Sequence, residues 1–150
     1  MTGDPFHLQR FVDAQASTYE HARAELAAGH KRGHWMWFIF PQIHGLGFSE
    51  MSRRYAISGL DEATAYLEHP LLGSRLRDCT ALVNAVDNRS LNAILGDPDD
   101  MKFYSSVTLF AEAGGGLVFL QALDRFFDGE RDQQTLDRIT AGPARPPESV

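Results

Sequence analysis

Cysteine and positive charge are scarce in this sequence, and long hydrophobic runs are absent. The one cysteine, Cys79, has no partner for an internal disulfide, which is typical of proteins in a reducing compartment such as the cytoplasm. The net charge of −6 argues against general binding to nucleic acid or to a membrane surface, because both require a basic face. The longest apolar run, 35–40, is far too short to cross a bilayer, and the first residues lack a signal-peptide pattern. We therefore expect a cytoplasmic protein.

What the sequence does contain is a repeated helical pattern with clear boundaries. Apolar residues recur at spacings of three and four, and Asp, Ser, Gly and Pro stand between the segments. This pattern predicts an all-α protein, a single compact domain of about seven or eight short helices over residues 1–140. The first helix is predicted to begin at Asp4-Pro5 and to end at Gly29. Residues 141–150, which are rich in proline, are predicted to form a disordered tail.

Aromatic residues concentrate in the aromatic stretch, residues 33–40, which carries both tryptophans of the chain. Periodicity does not decide whether 35–40 is a buried strand or a short buried helix. In either conformation Trp35 and Trp37 point to different sides of the backbone, so one can lie in the core while the other lines a cleft. The alternative is that the whole stretch is folding core and forms no site.

The segment after the aromatic stretch is suited to contact a ligand. Gln42 and His44 supply an amide and an imidazole on a loop with two glycines, where backbone N–H groups can approach a ligand closely. Ser49 is predicted to begin a short helix, whose first amides together with Arg53 or Arg54 would form a small anion site. The alternative for the two arginines is a solvated or salt-bridged pair.

A third segment, 99–110, presents a polar face beside a core face. On a helix, Lys102, Ser105 and Ser106 lie close together. A lysine near a serine is one arrangement that activates the hydroxyl as a nucleophile. The alternative is an exposed lysine beside serines that hydrogen-bond to the preceding helical turn. Among the carboxylates, Glu50 and Asp100 lie nearest to the candidate segments.

Three motifs carry a resemblance to a known family: HWMWFIFPQIHGLG with RRYAI after it, HPLLGSRL, and KFYSSVTLF. Together they resemble the bacterial domain-of-unknown-function family 1810, some of whose members carry a calpastatin label, and the likeness covers about residues 5–140. The resemblance implies a compact, mainly helical cytosolic domain with no established reaction. The calpastatin label fits badly, because calpastatins are long disordered inhibitors and this composition is that of a globular protein.

The expected chemistry is similar to that of helical N-glycosidases that cleave ADP-ribosyl linkages, although no motif of theirs is matched residue by residue. We expect a cleft between the aromatic segment and the Lys/Ser helix face that binds or hydrolyses a small nucleotide-like ligand of the NAD or ADP-ribose type. Neither metal nor cofactor is expected, since the histidines and the single cysteine lack metal-ligand spacing. The predicted catalytic residues are Glu50, His44, Lys102 and Ser105, and the predicted ligand-binding residues are His34, Trp35, Trp37, Gln42, Arg53, Arg54, Tyr55 and Ser106. The alternative is a non-catalytic protein-interaction module anchored by the aromatic stretch.

Overall fold

The computed structural model describes residues 3–143, and this part of the chain folds into ten α-helices without a named strand. The predicted all-α class is therefore confirmed. In chain order the helices are α1 Gln9–Gln15, α2 Tyr19–Ala27, α3 Met36–Ile39, α4 Glu50–Arg54, α5 Leu60–Glu68, α6 Leu72–Ala85, α7 Leu91–Leu95, α8 Asp99–Glu112, α9 Leu117–Phe127 and α10 Gln133–Ala141. Of the predicted tail, 144–150 lies outside the described residues. No helix in the described range is long and apolar enough to cross a membrane.

Ten helices are present where seven or eight were predicted, because 36–39 forms the short helix α3 and the predicted first helix is divided in two. The Asp4 carboxylate accepts hydrogen bonds from the N–H groups of Leu8 (2.6 Å) and Gln9 (3.0 Å), so α1 begins later than predicted. The chain then turns at 16–18, which divides the predicted first helix into α1 and α2. Gln15 is buried at this turn, and its side-chain amide donates to the Phe38 carbonyl at 2.7 Å. A contact distant in sequence therefore fixes the break.

Other helix boundaries follow the local sequence as predicted. The Ser49 hydroxyl accepts a hydrogen bond from the Ser52 N–H at 3.1 Å and begins α4. The Ser90 hydroxyl does the same for α7 with the Ala93 N–H at 3.0 Å. Gly29 lies just beyond α2 with a positive φ of 77°, the left-handed conformation that commonly ends a helix.

Helix α8 is the centre of the fold, because it packs against α5, α7, α9 and α10. Its core face carries Phe103 and Phe110, which are fully buried. The Phe40 ring meets the Phe103 ring edge-on at a centroid distance of 5.1 Å, a favourable aromatic arrangement. This contact holds the end of the aromatic stretch on α8. The loop that follows is thereby carried toward the polar face of the same helix.

The loop after the aromatic stretch is also fixed by two backbone hydrogen bonds. The Ile57 N–H donates to the Gln42 carbonyl at 2.8 Å, and the His44 N–H donates to the Ile57 carbonyl at 2.9 Å. Ile43 and Ile57 are both buried at this bridge. Because successive side chains of an extended segment point to opposite sides, Gln42 and His44 face away from the core. The alternation thus presents an amide and an imidazole at the surface.

Candidate functional site

A groove runs between the loop after α3, helix α4 and the polar face of α8. It consists of two adjoining depressions with volumes of about 260 Å³ and about 340 Å³. Gln42, Gly47 and Ser52 line both depressions, so the two are continuous, and we call them together the polar groove. The remaining lining residues are Ile43, His44, Gly45, Leu46, Phe48, Arg53, Ala56, Pro98, Met101, Lys102, Ser105, Asp132 and Gln134.

Two glycines allow the loop wall of the polar groove to pack tightly. Gly45 has a φ of 92°, and a Cβ atom placed there would meet the Arg138 guanidinium. A Cβ atom at Gly47 would lie 2.6 Å from the Ser52 hydroxyl oxygen. Gly47 therefore leaves no room for a side chain beside Ser52, whereas Gly45 is required by its left-handed backbone, because the Arg138 side chain could move aside.

Hydrogen bonds of His44 connect this loop to α10 and to the residue that follows it. Its Nδ1 lies 3.2 Å from Arg138 Nη2, and its Nε2 lies 3.3 Å from the Gly142 carbonyl oxygen. A guanidinium only donates, so we assign Nδ1 as the acceptor and place the proton on Nε2. Arg138 Nε also donates to the His44 carbonyl at 3.2 Å. Because both ring nitrogens have partners, His44 serves the groove as a structural link and does not present a free base.

Lys102 supplies a cation to the polar groove. Its ammonium lies 5.4 Å from the centroid of the Trp37 ring and 3.8 Å from Asp99 Oδ1. Asp99 makes its closer ion pair with Lys31, at 2.8 Å. The Lys102 side chain is 25% exposed, and it lines the groove. Trp37 thus supports a lysine that is only loosely paired and can meet a negatively charged ligand.

Ser105 is bound to an aspartate and not to the neighbouring lysine. Its hydroxyl oxygen lies 3.1 Å from both the Met101 carbonyl oxygen and Asp132 Oδ2. The Thr135 hydroxyl donates to the same Asp132 oxygen at 2.6 Å, and the Asp132 N–H donates to the Thr108 hydroxyl at 3.1 Å. The predicted Ser–Lys arrangement is therefore replaced by a network of hydroxyls around Asp132. Ser105 is also only 6% exposed, which limits its access to a substrate.

Trp35 belongs to the core and not to the groove. It is 1% exposed, and its indole N–H donates to Glu25 Oε1 at 2.9 Å. The same carboxylate oxygen accepts the N–H groups of Arg32 at 2.8 Å and Gly33 at 2.9 Å. Burial raises the pKa of Glu25, but these three hydrogen bonds outweigh it and hold the pKa below its ordinary value. His34 is exposed and does not line the groove.

The remaining predicted site residues also lie outside the groove. Glu50 is exposed in the first turn of α4, and Arg54 lines a different depression beside Arg10. Tyr55 is buried against Phe38 at a centroid distance of 5.4 Å. Ser106 is fully buried, and its hydroxyl has no hydrogen-bond partner among residues 3–143. Of the predicted set, the groove therefore brings together Gln42, His44, Arg53, Lys102 and Ser105, with Trp37 in contact with Lys102.

Sequence reasoning missed Ser52, Asp132, Gln134 and Arg138. Asp132 carried a weak signal, because it precedes α10 at a position where an aspartate is read as a cap, and Ser52 lies in the first turn of α4 after the cap Ser49. Gln134 and Arg138 carried no such signal, because a polar residue on a short helix near the end of the sequence is ordinarily exposed to solvent.

Comparison with known proteins identifies relatives but no activity. The family described as "Protein of unknown function (DUF1810)" matches residues 5–139. The crystal structure of the conserved hypothetical protein Rv1873 from Mycobacterium tuberculosis at 1.38 Å is similar to this chain, with a TM-score of 0.90 and 52% sequence identity. The match covers 91% of this chain and 99% of that one. The comparison with curated proteins gave no match.

Proposed function

Because the chain belongs to the DUF1810 family, whose function is unknown, we propose a function from the polar groove itself. The groove binds a small nucleotide-like ligand of the NAD or ADP-ribose type. One observation carries the proposal: a loosely paired cation (Lys102), an amide (Gln42) and a carboxylate (Asp132) line the same groove. Pockets for small polar ligands combine a few such groups with an apolar lining.

Each part of the ligand has a matching group in this proposal. Lys102 and the exposed Arg53 hold the phosphates, because both present only donors and positive charge. The Gln42 amide and the Ser52 hydroxyl orient the sugar. Phe48 is 76% exposed at the rim, and its ring offers a surface on which a base can stack. Phe48 thereby takes the role that Trp35, sealed in the core, does not fill.

A larger depression of about 550 Å³ near Arg54 is a poorer site for an anionic ligand. The Arg10 guanidinium there makes a 3.0 Å ion pair with Glu62. It also donates to four backbone carbonyls, those of Phe6, His7, Arg54 and Ala56. Its donors are thus already used, whereas Lys102 has only a 3.8 Å contact with Asp99.

The aromatic stretch is a weak candidate for a protein-interaction anchor. Trp35, Phe38 and Phe40 are buried within the subunit, and Trp37 is half-buried beneath Lys102. Interface anchors must be free to enter a pocket on the partner. This arrangement favours the ligand-binding function over the interaction module.

The proposed compartment is the cytoplasm. Cys79 is buried, and burial raises the pKa of its thiol to about 12. A thiol in that state behaves as a small apolar core group and takes no part in disulfide chemistry.

The proposal is tested by thermal shift and calorimetry with AMP, NAD and ADP-ribose. A ligand at 100 times its dissociation constant stabilises the protein by about 2.7 kcal/mol. We expect this stabilisation in the wild type and its loss in Lys102→Ala. The matched control is Arg23→Ala, which removes an exposed cation from α2, outside the groove. Equal binding by wild type and Lys102→Ala, or no binding of any of these ligands, would contradict the proposal. Release of free base from NAD is assayed in the same samples by chromatography.

A further inference from the structure

The carboxylate of Asp132 is used in an unusual way for a residue that caps a helix. Asp132 is the N-cap of α10, a position where an aspartate ordinarily accepts a backbone N–H of its own helix. Within the described chain it makes no such bond. Its Oδ2 instead accepts the Thr135 hydroxyl at 2.6 Å and lies 3.1 Å from the Ser105 hydroxyl, whose one hydrogen is shared between Asp132 and the Met101 carbonyl. Two helices therefore hold this carboxylate in one position at the wall of the polar groove.

We propose that Asp132 recognises the vicinal hydroxyls of a ribose, so that the polar groove selects ribonucleotides over their deoxy forms. This inference rests on the proposed function. Oδ2 is in contact with two protein hydroxyls, and Oδ1 accepts no hydrogen bond from residues 3–143. Carboxylates accept hydrogen bonds from sugar hydroxyls, as in dinucleotide-binding folds where an acidic residue binds the ribose. A carboxylate held by neighbouring hydroxyls gives that recognition a fixed geometry.

A cation and a carboxylate line the same depression of the polar groove. Lys102 and Ser105 lie three residues apart on one face of the helix, a rise of about 4.5 Å. The Ser105 hydroxyl oxygen lies 3.1 Å from Asp132 Oδ2, and Lys102, Ser105 and Asp132 all line the same depression of the polar groove. A ribose phosphate bound there would therefore meet a cation for its phosphate and a carboxylate for its hydroxyls.

The test compares AMP, 2′-deoxy-AMP and 2′,3′-dideoxy-AMP by calorimetry on the full chain. A hydrogen bond to a charged group contributes enough that losing it weakens binding on the order of tenfold to a hundredfold. We expect that loss for the deoxy ligands with wild type, and a ratio near one with Asp132→Asn. The matched control, Asp137→Asn, changes an exposed carboxylate on the same helix that bonds only to Gln133 in the described chain. Asp137→Asn should bind AMP more tightly than the deoxy ligands by the same ratio as the wild type.

A second variant keeps the inference testable if Asp132→Asn does not fold. Ser105→Ala removes one of the two hydroxyls that hold the carboxylate, and it should reduce the discrimination while leaving the dependence on Lys102 unchanged. Wild type that binds AMP and 2′,3′-dideoxy-AMP equally would overturn the inference and leave the proposed function standing. Full discrimination in Asp132→Asn would overturn it as well. Absence of binding by every nucleotide would remove the proposed function and, with it, the role of Asp132.

Discussion

Replacing Glu25 by alanine removes the acceptor that organises the entry to the aromatic stretch. One carboxylate oxygen accepts the N–H groups of Arg32, Gly33 and the buried Trp35 indole. Leaving the indole N–H without a partner costs about 1–3 kcal/mol, and the two backbone groups, which can reach water, add roughly 1 kcal/mol. We expect Glu25→Ala to lower the free energy of unfolding by about 3 kcal/mol. At this chain length such a loss lowers Tm by roughly 6–12 °C.

The assay for Glu25→Ala is urea unfolding followed by tryptophan fluorescence, with Glu20→Gln on the exposed side of α2 as control. The pKa of Glu25 is lower in the folded state than in the unfolded chain. Its stabilisation is therefore fully present above the unfolded pKa and is lost as pH falls through the folded pKa. The difference between wild type and variant should therefore shrink as the pH falls below the ordinary pKa of a glutamate. A loss no larger than that of Glu20→Gln, or a difference that is constant with pH, would refute the reasoning.

Three further predictions follow from single positions. Gly45→Ala should destabilise the protein by about 1–3 kcal/mol in urea unfolding, because φ is 92° and the new Cβ meets Arg138. Unchanged stability would contradict the loop geometry. Phe40→Ala, which removes a buried ring packed on Phe103, should cost about 3–5 kcal/mol in the same assay, and a loss below about 1 kcal/mol would contradict this packing. Cys79 should not react with a thiol reagent at pH 8 until the protein unfolds, because burial raises the pKa of its thiol to about 12. Rapid reaction in native buffer would show that the thiol is accessible to solvent and contradict its burial.

Local features of the fold could be predicted from the sequence, because the groups that decide them are neighbours in the chain. Ser49 and Ser90 cap helices whose amides lie three residues further on. Gly29 ends a helix through its own backbone conformation. The break after Gln15 could not be predicted in this way, since it depends on a hydrogen bond to Phe38. Helix class and most boundaries are thus local properties, and the division of one predicted helix into two is not.

The candidate site, like the fold, could be predicted from the sequence only in part. The sequence marked Gln42, Lys102 and Ser105 because polar residues adjoin an aromatic stretch or share a helix face. It did not separate Trp35 from Trp37, since either could have faced the core. Asp132 meets Ser105 across 27 residues, and no local pattern links the two. Contacts between distant segments decide which polar residues share a groove.

The two tryptophans permit the most direct test of a ligand site at the polar groove. Trp37 lies beneath Lys102, whereas Trp35 is sealed in the core, and the chain has no other tryptophan. The measurement is a fluorescence titration with ADP-ribose of two single-tryptophan variants, Trp35→Phe and Trp37→Phe, each first shown to be folded by its thermal transition. Our account predicts that the signal of Trp37 changes with saturation and that of Trp35 does not. A response confined to Trp35, or ligand-induced stabilisation with no change at Trp37, would place the ligand elsewhere and contradict the account.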